Sequence, residues 1–147
     1  MEKLLISACM LGVSCRYDGK SKPCILHEKL DKLIAKYDLV PFCPEIYGGL
    51  PTPRTPSERI GEEVYMKDGR CVTENYRKGA HEALALCRIM GITKALLKEK
   101  SPSCGKGMIY DGSFTGSLTE GNGVAAEHLL KNGVAVFGES EIDLLLS

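Results

Sequence analysis

The chain has 147 residues, 44% of them hydrophobic and 26% charged, with 19 basic residues against 19 acidic ones and a formal net charge of zero. That length suits one domain around one hydrophobic core, spanning 1–147. The charge balance argues against a broad grip on a nucleic-acid backbone, which takes clustered excess Lys and Arg. No apolar run approaches the ~20 residues of a membrane helix, and the run in Met1-Glu2-Lys3-Leu4-Leu5-Ile6 is too short for a signal peptide, so a cytoplasmic protein acting on a small molecule is expected.

In chain order, Leu4-Leu5-Ile6 reads as a short buried strand that ends before Gly12. Residues 27–37 read as a helix with Leu30, Leu33 and Ile34 on one face, and Leu39 to Phe42 as a second strand. Five of the seven prolines fall between 41 and 56, which predicts a long irregular loop there. Val64 to Val72 reads as a hairpin turning at Asp68-Gly69. Residues 75–90 carry the strongest helical pattern, with Ala80, Ala83, Leu84 and Cys87 on one face and Gly91 closing it. Lys94 to Leu97 is the next strand and feeds the glycine-rich segment 98–107. The Gly/Ser/Thr-rich stretch 111–123 reads as loop, followed by a helix over about 123–132, a strand from Val134 to Phe137 and a C-terminal helix from Ile142 to Leu146. Strands alternating with helices predict an α/β, Rossmann-like single domain: a mostly parallel sheet covered by helices on both faces.

Cysteine is the outlier in the composition. The seven are Cys9, Cys15, Cys24, Cys43, Cys71, Cys87 and Cys104, an odd number with no CxxC pair, which argues against a disulfide framework and against a zinc ribbon. Cys87 lies on the apolar face of a helix and reads as core, as does Cys71 in the hairpin. Cys24 has no evident role. Cys15 divides evenly between a structural and a functional reading, with Arg16 placed to lower its pKa. Cys9, Cys43 and Cys104 each follow a strand and stand near Gly12, Pro44 and Gly105. Ligands in parallel α/β sheets bind beyond the carboxyl ends of the strands, so three thiols from distant segments can meet at one edge. Three thiolates leave a metal centre a position for substrate; the bland alternative is three unconnected loop thiols.

Other groups are read more plainly. Glu45 follows Cys43 by two residues, where a carboxylate can move protons, although most glutamates do not. Ser101 and Ser103 flank Pro102, ready either to bind a substrate or to shape a turn. Arg54 reads as a solvated loop cation. His27, His81 and His128 show no ligand spacing with a cysteine, and Gly105-Lys106-Gly107 lacks the spacing of a phosphate loop.

Three motifs together carry a resemblance. Ser7-Ala8-Cys9-Met10-Leu11-Gly12 with Cys15-Arg16-Tyr17-Asp18-Gly19, then Cys43-Pro44-Glu45, then Lys98 with Ser101-Pro102-Ser103-Cys104-Gly105 resemble the thiouracil desulfurase family over essentially the whole chain. Met10 stands where leucine is usual, and the chain ends before the second domain of the larger relatives. The resemblance implies a [4Fe–4S] cluster held by Cys9, Cys43 and Cys104 alone, with the fourth iron left for the thiocarbonyl sulfur of a thiolated pyrimidine. It implies Glu45 as acid/base group and Ser101 as the residue that holds or protonates substrate. Water then replaces sulfur with no net electron transfer. The alternatives are a thiol-based redox protein, a non-catalytic cluster carrier and a zinc site on the same three cysteines. Oligomeric state is not written in the sequence.

Overall fold

The computed structural model describes residues 1–20 and 23–147. Four strands, β1 (Glu2–Ser7), β2 (Tyr37–Phe42), β5 (Lys94–Leu97) and β8 (Ala135–Gly138), form a parallel sheet in the order β2-β1-β5-β8. Among the described residues five α-helices accompany it: α1 (His27–Lys36), α2 (Pro44–Tyr47), α3 (Thr73–Met90), α4 (Val124–Lys131) and α5 (Ile142–Leu146). The chain runs from β1 out to the edge strand β2, then returns through α3 to β5 on the far side of β1. The switch in direction therefore lies between β1 and β5, where sheets of this kind leave a crevice for ligands.

The period of two along the strands sends alternate side chains to opposite faces. Leu5, Ala95, Leu97 and Val136 pack under Ala83, Leu84 and Cys87 of α3 and Ala126 and Leu129 of α4. Leu4, Ile6 and Leu96 pack under Leu33 of α1 and Ile142 and Leu145 of α5. Each large side chain so buried contributes about 1.5–3 kcal/mol relative to exposure. The α/β architecture with both faces covered thus agrees with the expectation. Ile34 does not: it is 52% exposed, because the buried stripe of α1 centres on Leu33.

The small strands depart from the sequence reading. Asp68-Gly69 does turn the chain, with Gly69 at φ +92° and the Met66 N–H donating to the Arg70 carbonyl at 2.8 Å. Only one bridge follows, Tyr65 to Cys71, because α3 begins at Thr73 and leaves no residues for a second strand. The full partner of β4 (Glu63–Met66) is instead β3 (Ser57–Ile60), just beyond the proline-rich segment expected to be irregular, and that segment itself carries α2. Cys71 is consequently exposed rather than packed, with its sulfur 3.2 Å from Thr73 Oγ1. The Gly/Ser/Thr-rich stretch also carries a strand, β7 (Leu118–Glu120), which pairs with β6 (Met108–Tyr110) just before the stretch. All three residues of β7 are exposed, so no apolar alternation betrays it. Pro41 is tolerated because β2 is an edge strand, and Pro44 because it opens α2, where its missing N–H costs nothing.

Candidate active site

Cys9 lies in a 3₁₀ turn, Ala8–Leu11, directly after β1; Gly12 closes the turn at φ +96°. Cys43 follows β2 and caps the N-terminus of α2, so Glu45 falls in that helix's first turn. Cys104 follows β5 in the turn 101–104. Ser7, the last residue of β1, accepts the Lys98 N–H at 2.9 Å and locks the ends of β1 and β5 together. All three cysteines, with Glu45 and Ser101, line one cavity of about 580 Å³ beyond the carboxyl edge of the sheet. That volume is ordinary for a small-molecule site.

Two glycines fix α2, and with it Cys43 and Glu45. A Cβ on Gly79 would stand 2.0 Å from the Pro44 carbonyl oxygen, and one on Gly48 would stand 2.1 Å from that of Asn75. Only glycine lets α2 and α3 approach so closely. A Cβ on Gly123 would likewise meet the Ser103 carbonyl carbon at 2.4 Å, so the start of α4 is pressed against the turn that carries Cys104.

Glu45 is held on both oxygens. Oε1 accepts from Tyr76 OH at 2.7 Å and from Arg54 Nε and Nη2 at 3.3 and 3.2 Å; Oε2 accepts from Ser103 Oγ at 2.9 Å. Arg54 is not the solvated loop cation expected of it: its side chain is 3% exposed, and it also donates to the carbonyls of Cys15 and Pro51 and to Thr52 Oγ1. Burial, then the charge of Glu45, pushes the Tyr76 phenol upward, so it remains a proton donor.

The thiols are shaped by one another and by burial. The Cys104 thiol is pushed up to about 12 by burial, against hydrogen bonds from Ser7 and Ser103 that favour its thiolate. Cys43 is raised further, first by its contact with the Cys15 thiol and then by burial. Cys15 was expected to be lowered by Arg16. Its contact with Cys43 does lower it, but contact with Cys9 and burial outweigh that and raise it; Arg16 instead faces Asp18 at 3.6 Å. Cys15 is buried and lines the cavity, as does Cys24, whose thiol meets Glu139. Lys98 is neutralised by Glu139 at 2.7 Å.

A family model for 2-thiouracil desulfurase matches residues 4–141. The chain belongs to the 2-thiouracil desulfurase family. It is 38% identical to the Bacillus subtilis (strain 168) protein YbbK, over 97% of this chain and 99% of that one. A solved structure of the [4Fe–4S]-dependent thiouracil desulfidase TudS superposes with a TM-score of 0.93 at 48% identity, covering 99% of this chain and 95% of that one. This desulfurase-family chain is thus an enzyme of a known kind with an α/β fold to match.

The donor set of the desulfurase site fits an iron–sulfur cluster: five soft thiols line a single cavity, Cys9, Cys43 and Cys104 among them with Cys15 and Cys24, and Ser103 Oγ lies 3.6 Å from Cys104 Sγ to hydrogen-bond the sulfur. Among the described residues, no three Cys, His, Asp or Glu side chains are spaced to hold a single metal ion, whose ligands crowd closer than those of a four-iron cubane. No described helix is long and apolar enough to cross a membrane. The contacts that Arg54, Tyr76 and Ser103 make with Glu45 carry no signal in the sequence. Tyr76 sits on the apolar face of a helix and Arg54 in a proline-rich loop, and neither carries a spacing signal toward Glu45.

Proposed function

We propose that this enzyme removes sulfur from a thiolated pyrimidine by hydrolysis, giving the oxo-pyrimidine and sulfide without external electrons. The observation that carries the reading is the convergence of Cys9, Cys43, Cys104, Glu45 and Ser101 on one cavity at the β1/β5 switch point. Cys9, Cys43 and Cys104 would hold a [4Fe–4S] cluster, which supplies a Lewis-acidic iron that draws electrons through the thiocarbonyl sulfur and makes the ring carbon easier to attack.

The chain's own residues do the rest. Glu45, fixed by Arg54 and Tyr76, accepts the proton of the attacking water and returns it to the departing sulfur. Ser101 lines the cavity and orients the substrate; its Oγ is held by the N–H groups of Ser103 and Cys104 at 3.1 and 3.2 Å. Three of the four cations that line the cavity, Arg16, Arg54 and Lys98, are already paired with Asp18, Glu45 and Glu139, which suits a substrate with little charge of its own.

The test is anaerobic reconstitution followed by sulfide release from a panel of thiopyrimidines, with and without reductant. Turnover without reductant is expected. In Glu45→Gln, iron content should hold while turnover falls by about 10²–10⁴-fold. Near-normal activity in that variant, or a stoichiometric demand for electrons, would overturn the reading. Cluster assembly without turnover of any member of the panel would favour a carrier.

A further inference from the structure

Four carboxylates line the cavity: Glu45, Glu58, Glu99 and Glu139. Three of them meet side-chain donors. Glu45 meets Arg54 and Tyr76, Glu99 the Ser140 hydroxyl, and Glu139 the Lys98 ammonium. Among the described residues Glu58 alone of the four has no side-chain partner. It is 8% exposed, and it accepts the backbone N–H groups of Gly112 at 2.9 Å and Phe114 at 3.1 Å, both on Oε1. Both lone pairs of Oε2 are therefore open. That oxygen is not sealed in the protein either, because His128 Nε2 is the one fully buried, unpartnered side-chain polar atom among the described residues. The space on which Glu58 opens is the cavity. Its place is fixed, since it stands in β3 opposite Tyr65 of β4 and its first oxygen is tied to two N–H groups.

A carboxylate oxygen can only accept. A substrate that fills the cavity must donate to Oε2 or leave it without the hydrogen bond that water gives it. The donors of a thiolated pyrimidine are its ring N–H groups. We infer that Glu58 Oε2 accepts a ring N–H of the substrate, which makes Glu58 a specificity-determining residue for thiopyrimidines unsubstituted at that nitrogen. The inference rests on the function proposed above and adds the ring edge that the site reads. The proton stays on nitrogen throughout, so the contact is the same before and during reaction. It lowers KM and leaves kcat unchanged.

Kinetics of the reconstituted enzyme with 2-thiouracil and its 1-methyl and 3-methyl derivatives test it. In Glu58→Gln the amide oxygen keeps the Gly112 and Phe114 N–H groups, because the amide nitrogen would oppose them, and a donor then stands where Oε2 was. Iron content and Tm should match wild type. KM for 2-thiouracil should rise about 10–100-fold, the worth of a hydrogen bond to a charged group, with kcat within about threefold. In wild type, one of the two methylations should lower kcat/KM by a similar factor. The same methylation should cost Glu58→Gln little more, since two changes that remove one hydrogen bond do not add. A KM within about threefold of wild type in Glu58→Gln would overturn the assignment, and so would additive losses, which mark the methyl as a steric clash. If Glu58→Gln does not fold, wild type decides: equal kcat/KM for all three compounds overturns the assignment, and a loss confined to one methylated compound upholds it. If wild type turns over none of them, the proposed function fails, and calorimetry with uracil still reads Glu58. The Kd of uracil should then rise about 10–100-fold in Glu58→Gln, and an unchanged Kd would overturn the assignment.

Discussion

The Arg54 guanidinium lies 3.2 Å from Glu45 Oε1 with 3% of its side chain exposed, against 17% for Glu45. This is a buried ion pair whose cation is also pinned to the Cys15 carbonyl at 3.0 Å, so it joins the loop after Cys9 to the helix after Cys43. Its worth lies in placement, since the desolvation of two charges consumes most of their attraction. Arg54→Met leaves the carboxylate unpaired. Loss of one buried partner typically costs about 3–5 kcal/mol, and the partial exposure of Glu45 puts the expectation near the lower end. Urea unfolding of the apo-protein measures it; a loss under about 1 kcal/mol would show that water screens the pair.

The cysteines separate by iron content. Cys9→Ser, Cys43→Ser and Cys104→Ser should each abolish or degrade the cluster, read as iron per chain after reconstitution. Cys87→Ser should keep its iron but lose about 1–3 kcal/mol, because Cys87 is 1% exposed and a hydroxyl there has no partner. Cys71→Ser should be neutral within about 0.5 kcal/mol, since that thiol is exposed. Cys15→Ser leaves all three proposed ligands intact and should retain iron. Full retention in the first three variants would remove the ligand set.

Gly79 reverses the usual rule for helix interiors. Gly→Ala in α3 gains about 0.5–1 kcal/mol where the surface is free. Here the added Cβ meets the Pro44 carbonyl at 2.0 Å, so Gly79→Ala must push α2 away. We expect a net destabilisation of about 1–3 kcal/mol from overpacking, together with a loss of turnover, because Pro44 lies between Cys43 and Glu45. Thermal unfolding and sulfide release check the two halves. Unchanged stability would mean that the α2–α3 contact relaxes at no cost.

Away from the site, Glu141 offers a pH test. The Gly138 N–H at 3.0 Å, and then Lys106, hold its carboxyl below the ordinary 4.5 despite partial burial. A depressed pKa stabilises the fold above the unfolded value, and that contribution is lost as pH falls through the folded one. Glu141→Gln should therefore flatten the decline of stability between about pH 5 and pH 3. The effect should be about 1 kcal/mol or less, since 31% of the side chain is exposed. Parallel acid titrations of the urea midpoint would show no difference if Glu141 were not coupled to folding.

What the sequence determined by itself was local or periodic. Continuous apolar runs in Leu4-Leu5-Ile6 and Ala95 to Leu97 mark strands buried on both faces, and the stripe Ala80, Ala83, Leu84, Cys87 marks the helix face that avoids water, which together specify a covered parallel sheet. The same logic placed Cys9, Cys43 and Cys104 at strand ends. Strands whose side chains gain nothing from burial, such as Leu118–Glu120, left no such trace. The surroundings of Glu45 were decided only by the tertiary structure. Tyr76 reaches it from 31 residues away and Ser103 from 58, and Arg54 is buried only because the proline-rich loop folds back over α2. A hydrogen bond depends on where two atoms end up, and no period in a chain encodes the meeting of groups from different elements.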